Sequence, residues 1–176
     1  GQNFGLKNFD YGDFLVSATD RYGLSDRITL NSHIAVHTNN LYIIDGGVDF
    51  LPSQKLGVLS VEVAGSMRKN NKKGAFFSAG FKTKRRKWNF GVVTRLTTKN
   101  FIDLGYPPES FLPSQQAQVY FSHRIGKRSG IGVSLISQHN RYPSITSNIL
   151  SGTFSTKLFK SWSLTLSAQD NFNLKK

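Results

Sequence analysis

Between residues 27 and 37 the chain alternates: Ile28, Leu30, Ile34 and Val36 fall on one side of an extended segment, and Arg27, Thr29, Asn31, His33 and His37 on the other. Successive side chains of a strand project to opposite faces, so this pattern makes one apolar and one wet surface. The apolar side has to meet either a protein core or lipid.

The same rhythm recurs along the chain and predicts an all-β antiparallel meander of about ten strands. The segment from residue 8 opens it, with a corner at 21–26, and the strand at 27–37 follows. Further strands are expected at 41–51, 58–68, 75–82, 88–97, 115–125, 131–138, 145–158 and 162–171. Gly46-Gly47 predicts a bulge or bend inside the third. Leu59, Val61, Val63 and Met67 oppose Ser60, Glu62, Ser66 and Arg68 in the fourth; in the sixth, Val93 sits on the polar side.

Compact connections at 24–26, 52–57, 83–87, 126–130 and 159–161 alternate with longer or more polar ones, the longest being 98–114 with Pro107, Pro108 and Pro113. Short turns at one end and longer loops at the other are the pattern of outer-membrane barrels, whose short turns face the periplasm. Tyr22, Phe50, Phe81, Trp88, Phe159 and Trp162 flank the compact turns, while Tyr42, Phe76 and Tyr142 lie toward the other end. Those positions suit two interfacial girdles, although a soluble β-sandwich would use the same aromatics as core.

The 23 Lys and Arg against 10 Asp and Glu leave a formal charge of +13, which raises nucleic acid or an anionic lipid surface as a partner. No cysteine is present, so disulfides, thiolate catalysis and cysteine-zinc sites are excluded. No apolar run reaches the roughly 20 residues of a spanning helix, and no segment has the form of a signal peptide. A chain opening Gly1-Gln2-Asn3-Phe4 reads as a cut piece or a mature product.

Sites for chemistry are sparse. His33 and His37 share a face but stand four residues apart, roughly 13 Å at about 3.3 Å per residue, too far to grip one ion. His123 and His139 lack a carboxylate or nucleophile at a suggestive spacing and read as lumen or rim residues. Asp10, Asp13, Asp20 and Asp26 are divided by a strand, and Asp26 after Ser25 reads as turn chemistry. The segment 126–130 lacks the spacing of a phosphate loop and reads as a hairpin turn. No enzyme active site, metal or cofactor is expected.

The run at 82–88, with Lys84, Arg85, Arg86 and Lys87 before Trp88, is the best nucleic-acid candidate. Lys55, Lys127, Arg128, Lys157 and Lys160 lie at the same compact-turn end, and a ring of cations there fits an anionic headgroup layer, so lipid rather than nucleic acid is the expected partner. Arg27, Asn31, His33, Glu62, Arg95 and Gln169 are the candidates for a lumen; Ile28, Leu30, Val61, Val63, Leu164 and Leu166 would meet lipid. Two other classes stay open on pattern alone: a free-standing small outer-membrane barrel acting as a channel or surface enzyme, and a soluble basic β-domain that binds nucleic acid.

A resemblance sharpens this. Gln2-Asn3-Phe4-Gly5-Leu6, Asn8-Phe9-Asp10-Tyr11-Gly12-Asp13 and the stretch from Ser17 to Leu30 containing Arg21-Tyr22-Gly23-Leu24-Ser25-Asp26 resemble the barrel segment that follows the plug in fimbrial outer-membrane usher proteins. Leu56-Gly57-Val58-Leu59-Ser60-Val61, and Asn89-Phe90-Gly91 through Asp103-Leu104-Gly105, are similar to later strands of ushers for thin or spore-coat-like pili. The resemblance implies a Gram-negative outer-membrane pore that receives pilus subunits from periplasmic chaperone complexes and exchanges their donor strands without covalent chemistry. It implies a slice of a 24-stranded barrel, because residues 1–176 read as barrel throughout, with no N-terminal, plug or C-terminal periplasmic domain.

Overall fold

The computed structural model describes residues 14–38, 40–68, 72–103, 112–141, 143–159 and 162–172. Of the usher-like opening, the parts at 2–6 and 8–13 lie outside the described residues, Asp10 and Asp13 among them, as do Leu104, Gly105, Pro107, Pro108, Tyr142 and Lys160; the stretch from Ser17 to Leu30 is described. Ten strands follow one another: β1 (Leu15–Ser25), β2 (Ile28–His37), β3 (Leu41–Ser53), β4 (Gly57–Met67), β5 (Lys73–Lys84), β6 (Trp88–Thr97), β7 (Gln115–Ile125), β8 (Ser129–Arg141), β9 (Ser144–Lys157) and β10 (Ser163–Phe172). Each pairs antiparallel with its sequence neighbour in a single sheet ordered β1 to β10, so the fold is an all-β meander. Among the described residues β1 and β10 do not meet, and each leaves one edge unpaired.

Register carries the two faces across all ten strands. Leu30 stands opposite Val48, Val48 opposite Val61, and Val61 opposite Ala79. This apolar face is also the exposed one: Ile34 retains 52%, Val63 54% and Leu166 57% of its accessible surface. On the other face Ala35 retains 1%, Ser66 6% and Ser78 8%. A soluble domain buries its apolar side, so this inverted arrangement is that of a sheet curving around a polar interior.

Along β4 the apolar side chains from Leu59 to Met67 cover about 26 Å of strand at about 3.3 Å per residue, similar to the roughly 25 Å apolar band of outer-membrane barrels. Tyr22, Phe50, Phe81 and Trp88 lie on this face at the compact-turn end, and Tyr42 on it near the opposite end. Asp20 interrupts it on the edge strand β1, opposite Ser32.

Several boundaries depart from expectation. Residues 21–25 continue β1 rather than forming a corner, and the chain turns at 26–27, where the Arg27 amide donates to Ser25 Oγ at 3.3 Å. Arg27 therefore sits in an exposed turn and not on the polar wall of β2. Register runs unbroken through Gly46 and Gly47; the irregularity falls between Phe50 and Ser53, next to the turn closed by Gly57 at φ +125°. A side chain at Gly47 would come within 3.1 Å of the Val61 carbonyl oxygen, so the glycine there admits close strand approach.

β8 and β9 extend until only residues 142–143 separate them, and β2–β3 is bridged by 38–40. The difference between the two ends thus rests on the connection after β6, whose start folds back against the polar face. Phe101 is buried there and stacks on Phe76, centroids 5.5 Å apart. Phe76 accordingly faces inward and forms no part of a girdle. The Ile102 amide donates to Ser66 Oγ at 3.0 Å, and Ile102 packs against the small apolar cluster of Ala35, Leu41 and Ile43. The returning leg is stitched between β6 and β8: Thr97 N donates to Ser114 O at 2.9 Å and Ser114 N to His139 O at 2.8 Å.

Candidate functional site

The polar wall is built by strand alternation, which sets Asn31, His33, Glu62, Arg95 and Gln169 on one face of the sheet. Cross-strand pairing then decides what each touches. Asp45 lies opposite His33, and His33 Nδ1 donates to Asp45 Oδ2 at 2.7 Å. Asp49 lies opposite Ser60 and collects three donors: Ser60 Oγ at 2.6 Å, Asn31 Nδ2 at 3.3 Å, and Arg21, whose Nη2 is 3.5 Å away. A belt of hydrogen bonds and charge thereby ties β1 through β4 together on the polar side.

Glu62 and Arg95 line a second hollow of about 280 Å³ with Asp103, Phe101 and Gln116, and Arg95 Nη1 donates to Gln116 Oε1 at 3.3 Å. The inward-folded connection forms one side of this hollow. Gln169 is apart from both groups, on the edge strand β10 opposite Ser151. Arg27 shares a pocket with Lys55 at the turn between β3 and β4. His123 and His139 belong to the apolar face near its two ends, opposite Trp88 and Gln115, and not to the polar wall.

The cations at the compact-turn end mark a third place. Lys84, Arg85, Arg86, Lys87, Lys127 and Arg128 line one hollow of about 630 Å³, joined by Arg124 and Lys157. Lys55 is not among them. Reading the sequence missed Arg21, Asp45, Asp49 and Arg124. Asp45 and Asp49 could have been found from their spacing, since with Gly47 between them they occupy alternate positions of one strand.

The Asp49 belt has a measurable consequence. Asp49→Ala leaves Ser60 and Asn31 without their acceptor on a half-buried wall and is expected to lower unfolding free energy by about 1 to 3 kcal/mol. Urea titration of the protein in vesicles reads this. A loss equal to that of Asp26→Ala, which removes an exposed turn carboxylate, would contradict the belt's structural role.

No known family model matches the sequence, and no curated protein matches it. Among solved structures the fold is similar to that of OccAB2 of Acinetobacter baumannii, an outer-membrane β-barrel porin. The TM-score is 0.65 at 12% identity, over 91% of this chain and 50% of the other. The chain thus spans about half the length of that barrel, and the likeness is one of fold.

Proposed function

We propose that the chain is a wall segment of an outer-membrane translocation barrel of the usher kind, its polar face lining a passage for chaperone-delivered pilus subunits and its apolar face meeting lipid. The observation that carries the membrane reading is the inverted pair of faces, apolar out and polar in, kept in register over ten strands and interrupted by Asp20 and Asp170 on the two edge strands. The barrel likeness to OccAB2 supports an outer-membrane location and a channel. The usher assignment is supported by the motif resemblance around Arg21 to Asp26.

Transport on this reading needs no covalent step. Polar side chains such as Asn31, Glu62, Arg95 and Gln116 exchange hydrogen bonds between water and a moving polypeptide, while the strand ladder keeps the wall's own backbone groups satisfied. A general diffusion channel is the rival function, and one experiment separates the two. In-frame deletion of the coding sequence is expected to abolish surface fibres on the cell while leaving uptake of small charged solutes unchanged. Intact fibres with reduced solute uptake would overturn the usher reading in favour of a diffusion channel.

A further inference from the structure

The basic hollow differs from an ordinary solvated rim in where it opens and in what it lacks. Register puts Lys84, Arg124 and Lys157 on the polar face of β5, β7 and β9, together with Asn89, Ser122 and Ser155. The turns add Arg85, Arg86, Lys87, Lys127 and Arg128, so eight cations surround one depression. No Asp or Glu lines it, and among the described residues none of the eight takes part in an ion pair. By contrast, Asp45, Asp49 and Glu62 occupy the polar wall of β3 and β4, where Arg21 and His33 answer two of them.

Small residues make the depression. Gly130 and Gly132 leave the wall of β8 bare, and a side chain at Gly132 would come within 2.7 Å of Thr153 Oγ1. The floor therefore exposes backbone and hydroxyl groups beneath a collar of charge. Headgroups of a surrounding bilayer would approach from the opposite, apolar face, which contributes Trp88, His123 and Ile131 to the lining but none of the three strand cations. A single phosphate would occupy a small part of about 630 Å³, and the lining cations are spread over three strands and two turns instead of converging on one point.

We infer that this hollow is a docking surface for an acidic polypeptide segment, held at the compact-turn mouth of the passage by several screened charge contacts and by hydrogen bonds to Asn89, Ser122 and Ser155. The inference rests on the translocation reading for its biological sense. Its chemistry is capture of extended, carboxylate-rich chain. Such contacts speed encounter and release quickly, which suits an entry site more than a tight receptor.

The test measures binding of a labelled oligoglutamate peptide to the full chain in a zwitterionic detergent. Binding is expected at low salt, with strong weakening between about 0.05 and about 0.5 M NaCl as charge screening shortens. The triple variant Lys84→Glu, Arg124→Glu, Lys157→Glu is expected to lose roughly tenfold or more in affinity, because like charges then face the peptide. Lys55→Glu, outside the hollow, is expected to bind as the parent does.

Charge-neutral Lys84→Gln with Lys157→Gln serves as a second variant, with an expected intermediate loss and a heat-modifiable gel shift to verify folding. Parent-like affinity in a folded triple variant overturns the inference. So does full competition by inorganic phosphate at equal charge, which would mark a small-anion site. Capture of phosphatidylglycerol vesicles through these same cations, with no peptide binding, would overturn it in favour of a headgroup site. Loss of the usher reading in the deletion experiment would leave the peptide measurement standing, so the two failures are distinguishable.

Discussion

Val61→Lys is expected to make membrane insertion less favourable by about 2 to 4 kcal/mol, the cost of a lysine on the lipid side of a barrel near the bilayer midplane. Val61 is central in β4, exposed, and flanked by Val48 and Ala79 on the strands beside it. No partner for an ammonium group stands opposite it on either neighbouring strand. One residue on, Glu62 projects to the polar side opposite Gly47 and Ser78. Glu62→Ala is therefore expected to change insertion by no more than about 0.5 kcal/mol. Denaturant titration of the two variants in vesicles, beside recovery in the outer-membrane fraction, measures the contrast. Equal losses at the two sites would mean that the apolar face does not meet hydrocarbon.

The second large effect belongs to Gly74. A methyl group on this residue would land on the backbone nitrogen and Cα of Phe101, which lie against the β5 main chain. β5 is held on both sides, by its ladder to β4 and by Ala75 N donating to Thr98 Oγ1 at 2.7 Å. The connection is the part free to yield, so Gly74→Ala is expected to lift Phe101 from Phe76. Emptying a buried phenylalanine site costs about 3 to 5 kcal/mol when the ring is deleted, and Phe101→Ala is expected to release the same segment.

Limited proteolysis by an enzyme that cleaves after aromatic residues reads the release as faster cutting at Phe101. Gly65→Ala is the control: its added carbon meets only Ile44 Cγ2, at 3.9 Å, and protection should persist. Parent-like protection in Gly74→Ala would show that the segment docks elsewhere.

What could be read from the chain follows the range of the interaction involved. Two-residue alternation is a local property, and it separated Ile28, Leu30, Val61, Val63, Leu164 and Leu166 from Asn31, His33, Glu62, Arg95 and Gln169 as register later did. Strand ends were harder, because hydrophilic residues at the wet end of a barrel strand look like loop. Asn140 and Arg141 stay in the ladder, paired with Ile145 and Ser144, in spite of their polarity.

Phe76 carries no local sign of facing inward. Its partner Phe101 arrives through a separate connection, and a turn-end aromatic reads equally well as a girdle residue. The cations were legible as a group, but their direction was not. Lys84 belongs to the polar face only because β5 runs two residues further than its hydrophobic pattern suggests.

The margins of β1 and β10 that are unpaired among the described residues carry a last implication. Hydrocarbon offers no hydrogen bonds, so a row of bare amides and carbonyls at either margin is intolerable in a bilayer. Ten strands of this kind persist there only when some neighbour zips onto both sides, and the lifetime of the sheet in the membrane is then set by the company it keeps.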